Sequence, residues 1–278
     1  MSTVAVVGAG VIGLSWAQLF AEHGHTVWIT DPRPDLREVA PEGVHVAADL
    51  AEAVRDADFV QENGPERLDF KKQLFADLVR LAPARTIFLS SSSFIPATAF
   101  AADVEDASRI LIGHPFNPPH LIPLVEVVPG ERTSDEAVRA AVDFYESVGR
   151  VPVVEREIPG FVGNRLQSAL NREAAYLVEQ GVVSPEDLDK VVTNSLGIRW
   201  AAIGPFLAGH LGGGPGGYRQ LITHIGASAK QVPPGRPSED TEPLIEAVEK
   251  AYGVADHGEL ADYRDRRQTA VLNALEEL

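Results

Sequence analysis

Short apolar runs alternate with helix-length amphipathic stretches through the first part of the chain. Thr3–Val7, Thr26–Thr30, Asp58–Val60, Thr86–Leu89, Arg109–Ile112, Leu124–Val128 and Val151–Val154 have the length and β-branched content of buried strands. Between them, Val11–His23, Leu68–Leu81 and Ser134–Val148 place apolar residues at helical spacing. Strands that alternate with helices predict βαβ units and a mainly parallel sheet. After Pro159 the period changes. Gly160–Gln180 reads as one long amphipathic helix, with Leu166, Ala169, Leu170, Leu177 and Val178 near helical spacing. Ser184 then reads as an N-cap, with Pro185 at the first helical position and Asp187 in the first turn. No strand is predicted from there to Leu278, and Pro233–Pro237 reads as an irregular loop. The pattern thus predicts an α/β domain over residues 1–157 and an all-α domain over 158–278, with no internal repeat.

Gly8-Ala9-Gly10-Val11-Ile12-Gly13 fits G-x-G-x-x-G. The bare pattern is weak, because glycine is common. Its context is specific: a strand precedes it, a helix follows, and the next strand ends in Asp31. Gly8 permits the tight turn, Gly10 lets a pyrophosphate reach the backbone, and Gly13 allows helix and strand to pack closely. Val11 and Ile12 open the helix, whose free N–H groups suit a phosphate. Asp31 can accept both hydroxyls of an adenosine ribose and would repel a 2′-phosphate. NAD is therefore favoured over NADP, with Arg33 nearby weakening that preference slightly. The fold class is a Rossmann-type dinucleotide-binding domain followed by a helical domain. The bland alternative is a glycine-rich turn that binds nothing.

His114 follows the fifth predicted strand, and Glu126 lies in the sixth. There Leu124, Glu126 and Val128 share one face. An acid on an apolar strand face is costly without a partner, and His114 is the natural one. Removal of a hydroxyl proton as hydride departs suits an imidazole, with a carboxylate on its other nitrogen to fix the tautomer. Alone, His114 reads equally well as a structural histidine. Ser90-Ser91-Ser92-Ser93 ends another strand, where ligands of a doubly wound sheet gather. Any one of these hydroxyls could instead simply satisfy the strand end. Asn164, Gln167 and Asn171 form a polar stripe on the long helix. Asn164 could polarise a ketone oxygen, or the stripe could be an exposed face.

Charge and composition narrow the partners. The net charge is −16 and cysteine is absent. Nucleic acid and anionic membrane are disfavoured, and disulfides and thiolate metal sites are excluded. No apolar run is long enough to span a bilayer. The first strand begins almost at Met1, which leaves no room for a targeting peptide, so a cytoplasmic location is expected. An anionic substrate would need a local cation.

Taken in order, GAGVIG, PERLDFKKQLF, LSSSSF, GHPFNPP, PLVEVV and PGFVGNRL resemble the 3-hydroxyacyl-CoA dehydrogenase family over nearly the whole chain. The resemblance implies NAD as cofactor and a homodimer joined through the helical part. It implies His114 as base, Glu126 as its orienting acid, Asn164 as a neutral donor and Ser92 as the substrate-facing serine, uncertain by one position. Glu66 and Lys71 match cofactor-side residues, and Asn63, Ser90 and Asn117 are expected beside the cofactor. Within the family, the chain looks more like the L-gulonate and carnitine dehydrogenases than like the fatty-acid enzymes. Both of those have Arg at the position of Arg199, which implies a guanidinium for a free substrate carboxylate. Arg199 could instead stack on Trp200 or pair with a surface acid. The family's helical hairpin after the second strand is missing here, where only Pro32–Gly43 stands. That argues against a large CoA ester and weakens transfer of the gulonate assignment. Oxidation of the 3-hydroxyl of a small, gulonate-like hydroxy carboxylate is the expected reaction. Carnitine, with Trp200, Phe206 and Tyr218 as cage candidates, and a short 3-hydroxyacyl thioester are the alternatives. A non-catalytic NAD-binding protein is the rival of another class. Gly209–Tyr218 is expected to be a mobile or plainly flexible segment, with His210 as a possible pocket lining.

Overall fold

A computed structural model describes residues 1–224, 226, 231–253 and 257–276. The strands are β1 (Thr3–Val7), β2 (Thr26–Thr30), β3 (His45–Val46), β4 (Phe59–Glu62), β5 (Ile87–Ser90), β6 (Ile110–Pro115), β7 (Leu124–Pro129) and β8 (Val151–Val154). They form one sheet in the order β3-β2-β1-β4-β5-β6-β7-β8. Every pair is parallel except β6 with β7. The order reverses between β1 and β4, and ligands of such sheets sit outside the carboxyl ends of the strands at that switch.

Helices cover both faces: α1 (Val11–Glu22), α2 (Leu36–Val39), α3 (Leu50–Val54), α4 (Leu68–Leu81), α5 (Ala97–Phe100) and α6 (Asp135–Ser147). Alternation within the strands divides the core in two. Val4 and Val6 of β1 join Trp16 and Phe20 of α1 and Phe144 and Tyr145 of α6. Ala5 and Val7 face the other way, toward Phe75 of α4 and Phe100 of α5. Each large apolar side chain buried this way contributes about 1.5–3 kcal/mol.

The elements missing from the sequence reading are short: β3, α2, α3 and α5 run for two to five residues, too few to show a period. One of them did carry a signature. Asp49 caps α3 by accepting from Glu52 N at 2.8 Å, and Glu52 reaches back to Ala48 N at 2.6 Å.

A polar chain crosses the first core without leaving a buried group unpaired. Tyr145 Oη donates to Gln61 Oε1 at 2.7 Å, and Gln61 Nε2 donates to Ser91 Oγ at 2.8 Å. Trp16 Nε1 also reaches Ser91, whose hydroxyl donates to Asn63 Oδ1 at 2.8 Å. The chain needs Gly113 beneath it, because a Cβ there would lie 1.9 Å from Tyr145 Oη.

Two compact units emerge, Met1–Arg165 and Leu166–Leu278. The division falls inside α7 (Phe161–Glu179), a few residues beyond the change of sequence period. The second unit continues with α8 (Pro185–Val191), a π-helical turn (Val192–Leu196), α9 (Gly197–Ala202), α10 (Pro205–Gly212), a 3-10 turn (Gly214–Gly216), α11 (Gly217–His224), α12 (Glu242–Tyr252) and α13 (His257–Glu276). Ser184 caps α8 by accepting from Asp187 N. The glycine-rich stretch expected to be flexible is instead helical, from α10 into α11. Gly213 serves close backbone approach, since a Cβ there would lie 1.8 Å from Gly217 O. His210 is part of this hairpin, accepting from Tyr218 N at 3.2 Å. Gly235, in the proline-rich loop, donates to Glu173 of α7 at 2.6 Å. No helix among the described residues is long and apolar enough to cross a membrane.

Gly113→Ala is expected to cost about 1–3 kcal/mol through overpacking against a tyrosine that cannot retreat. The measurement is the urea midpoint with unchanged slope. An unaltered midpoint would show that the Tyr145 contact is not what fixes Gly113.

Candidate active site

β1 ends in Val7, and the chain turns at Gly8 with φ +99°, a conformation that favours glycine. A Cβ on Gly13 would lie 1.9 Å from Gly8 O, so the first helical turn rests directly on the loop. A Cβ on Gly10 would meet nothing within 4 Å. The space above Gly10 is open, and Val11 beside it is exposed. The helix begins there, with Leu14 N bonded back to Gly10 O. Open space, a helix N-terminus and no side chain in the way make a cradle that fits the pyrophosphate of NAD. Asp31, half-buried at the end of β2, accepts from Ala9 N at 2.7 Å and from Arg33 N at 2.9 Å. Its remaining lone pairs are available to ribose hydroxyls. Arg33 is turned to the Asp35 carboxylate and to the Ala9 carbonyl.

β4 and β5 end beside this loop. Asn63 N bonds to Val7 O at 2.7 Å, which sets Asn63 against Gly8. Ser90 and Lys71, expected at the cofactor, are enclosed below it. Lys71 Nζ lies 2.8 Å from Glu62 Oε2, and Ser90 Oγ donates to the same carboxylate at 2.5 Å. All three side chains are fully buried. They brace the ends of β4 and β5 instead of facing a ligand. Ser92 is likewise closed, with its hydroxyl 2.7 Å from Glu66 Oε1 and 2.8 Å from the Ile95 carbonyl. Of the serines after β5, Ser91 and Ser93 are partly exposed; the Ser91 hydroxyl is taken by Asn63 Oδ1, and the Ser93 carbonyl accepts from Asn164 Nδ2 at 3.0 Å. Ser93 lies one position from the Ser92 that the resemblance implies and beside Asn164. Burial works against the charge of Glu66, but bonds from Ser92 and from the amides of Phe94 and Ile95, with Lys71 3.7 Å away, hold its carboxyl below the usual range.

β6 runs longer than the apolar pattern suggested and carries His114 itself. In the antiparallel β6–β7 pair, His114 stands directly opposite Glu126, as Ile112 stands opposite Val128. Directly opposed residues share a face, so the two side chains meet. His114 Nδ1 lies 2.7 Å from Glu126 Oε2, with His114 5% exposed and Glu126 1%. A carboxylate at Nδ1 makes that nitrogen the donor and leaves the Nε2 lone pair free to take a proton. Asn117 is exposed on the loop beyond β6.

The other oxygen of Glu126 accepts from Gly163 N, in the first turn of α7, at 2.6 Å. Gly163 must lack a side chain, since a Cβ would lie 2.2 Å from the Phe116 ring. Burial opposes the charge of Glu126, yet the bonds from His114 and Gly163 outweigh it and hold the carboxyl below its usual range. One neighbour escaped the sequence reading. Glu155, just past β8, accepts from Val162 N at 3.0 Å. Burial, and then the negative charge of Glu126, push the Glu155 carboxyl up to about 7. Nothing in its sequence context, VVEREIPG, separates it from an ordinary surface acid.

In the second unit, Arg199 is exposed on α9, and no hydrogen bond or ion pair engages its guanidinium among the described residues. The Phe206 and Tyr218 rings pack edge to face at 6.1 Å, and both are exposed, as is Trp200.

The sequence matches the family model "3-hydroxyacyl-CoA dehydrogenase, NAD binding domain" over residues 3–46 and 37–158. It matches the C-terminal domain of the same family over 160–248. A protein of Gibberella moniliformis named 3-hydroxyacyl-CoA dehydrogenase is 45% identical, over 82% of this chain and 78% of its own. An L-carnitine dehydrogenase of Nocardiopsis dassonvillei is 41% identical, over 99% of this chain and 92% of its own. The solved structure of 5-formyl-3-hydroxy-2-methylpyridine 4-carboxylic acid 5-dehydrogenase, an NAD+ dependent dismutase, superposes with a TM-score of 0.83 at 30% identity, over 99% of each chain. Two matched domains in sequence, a glycine cradle at the switch of the sheet and a paired histidine agree: the chain belongs to the 3-hydroxyacyl-CoA dehydrogenase family and is an NAD-dependent dehydrogenase.

Proposed function

We propose that the chain oxidises the 3-hydroxyl of a small hydroxy carboxylate to the 3-keto acid, with His114 as base. The observation that carries this reading is the buried His114–Glu126 pair at 2.7 Å, on the sheet edge where the glycine cradle lies. Bound NAD+ supplies the hydride acceptor. The hydroxyl proton passes to His114 Nε2 as the C–H bond breaks and the carbonyl forms. Glu126 holds the ring and stabilises the imidazolium so created. Asn164 and Ser93 are assigned to the substrate oxygen, Asn164 by its amide and Ser93 by its accessibility. Arg199 is assigned to the substrate carboxylate, being a guanidinium without a protein partner among the described residues.

Relatives that carry carnitine in their names support L-carnitine as the first substrate to try, ahead of a gulonate-like acid. Carnitine brings a trimethylammonium, and the exposed Phe206–Tyr218 pair offers π-faces to such a cation. The relative named for acyl-CoA keeps a short 3-hydroxyacyl thioester as the second reading.

A homodimer is part of the proposal, with a physical reason. Among the described residues of the second unit only Gly213, Gly217 and Gly235 are buried. Leu166, Val182, Val191, Ile198, Phe206 and Leu211 each stay more than 60% exposed. A helical unit whose apolar side chains find so little cover among the described residues gains little from folding alone. A second copy would supply that cover. Light scattering is expected to give twice the chain mass at micromolar concentration, and a monomer would remove this part of the proposal.

The central test is NADH formation with L-carnitine, L-gulonate, 3-hydroxybutyrate and 3-hydroxybutyryl-CoA in parallel. His114→Ala and Glu126→Gln are expected to lower kcat by about 100-fold or more while NAD+ binding persists. Full activity of His114→Ala would remove His114 as the base. Arg199→Met is expected to raise KM for the free acid by about tenfold with kcat largely kept. Turnover of the CoA ester alone, untouched by Arg199→Met, would leave the dehydrogenase assignment and cancel the carboxylate one.

A further inference from the structure

Two carboxylates from adjacent strands fasten the same helix end. Glu126 Oε1 takes Gly163 N at 2.6 Å, and Glu155 Oε2 takes the preceding amide, Val162 N, at 3.0 Å. β7 and β8 run parallel with Glu126 opposite Val153, and Glu155 N bonds to Val127 O, so both acids leave the sheet toward α7. At the first position of α7 stands Phe161, fully buried, with φ +46° and its ring centroid 5.7 Å from that of His114. A bulky residue in the left-handed region costs on the order of 1–3 kcal/mol, and it persists where the surroundings over-determine it. Here the two acids are part of those surroundings, because they hold the two consecutive amides, Val162 N and Gly163 N, that directly follow Phe161.

Two carboxyls that accept from consecutive amides stand close together, and such a pair cannot ionise as freely as two separate acids. His114 already claims the charge of Glu126 through Oε2. The proton of the pair therefore resides on Glu155, whose carboxyl is pushed up by burial and then by the charge of Glu126. We propose that Glu155 is a positioning residue of the oxidation, a third member of the His114–Glu126 pair whose shared proton sets how much negative charge backs the imidazole. The proposal rests on His114 being the base. When the substrate proton arrives on His114 Nε2, the new positive charge loosens the proton of Glu155. Its release to solvent returns the three groups to the single negative charge they carried before the proton arrived. The charged groups on the surrounding elements leave Glu155 to this role. Glu126 of β7 is the one that acts on it, with His114 of β6 behind. Arg165 of α7 turns back to the Pro159 carbonyl, and Glu157 accepts from Thr98 N.

Glu155→Gln tests this without dismantling the helix cap, since the amide oxygen still accepts Val162 N. The variant cannot ionise, so one negative charge is missing near His114 above neutrality. The imidazole is then expected to titrate lower by about half to one pH unit, in one step instead of a coupled pair of steps. The readout is the imidazole nitrogen resonance of His114, identified by its loss in His114→Gln, and it does not require turnover. The acid limb of kcat/KM is expected to move down with it, about threefold to tenfold in relative rate on that limb. An unmoved His114 titration would overturn the proposal and leave Glu155 a helix cap only. A shifted titration without a shifted rate limb would keep the coupling and instead remove His114 as the base. Thermal unfolding of Glu155→Ala, which loses the cap as well, separates the structural share.

Discussion

The structure depends on one buried carboxylate. Glu126 is 1% exposed on a strand whose other inward residues are valines, and a charge in such a place is expensive unless every lone pair is answered. It is answered from two directions, by the His114 ring across the β6–β7 ladder and by Gly163 N at the start of α7. That requirement explains several residues at once. The β6–β7 pair must be in this register, or His114 would face the opposite core. Gly163 must be glycine for α7 to come close enough. The sheet edge where NAD is received and the helix that follows the Rossmann domain are therefore tied to the same ion.

A second enclosed ion pair supports the cofactor side in a different way. Lys71 and Glu62 are both fully buried, and Glu62 also takes Ser90 Oγ and Gly64 N. Removal of either partner would leave an unpaired charge in the core, a loss of about 3–5 kcal/mol. The pair joins α4 to the ends of β4 and β5, and Glu66 then holds the next loop by three contacts. The serine run is thereby shaped from beneath, so that only part of it faces outward.

Much of this was legible in the sequence because it followed from periodicity. The period of two placed Glu126 on one face of its strand, and the G-x-G-x-x-G run between strand and helix placed the cradle. Asp31 followed from the strand after it. The rest was not legible for particular reasons. Ser90, Lys71 and Ser92 are polar residues at ligand-rich positions, and sequence does not reveal whether such a side chain points to a ligand or to a buried carboxylate. Glu155 depends on β8 lying beside β7 and on the backbone turn at Phe161, both of them tertiary facts. The glycines between Gly209 and Gly217 looked like freedom of motion, whereas Gly213 and Gly217 let the two helix ends approach closely. β3, α2 and α5 are too brief to carry any pattern of their own.

Asp31 carries a consequence for how such an enzyme could change its cofactor. The carboxylate that would exclude a 2′-phosphate also receives Ala9 N from the middle of the glycine loop, and Arg33 N besides. Selectivity and loop shape are thus written in one residue. A lineage drifting toward a phosphorylated cofactor would have to find a new fastening for the loop before it could release the old acid, and Arg33, though near at hand, is already committed to Asp35 and Ala9 O. The path between the two preferences passes through a loosened cradle, which makes cofactor choice in this chain slow to reverse.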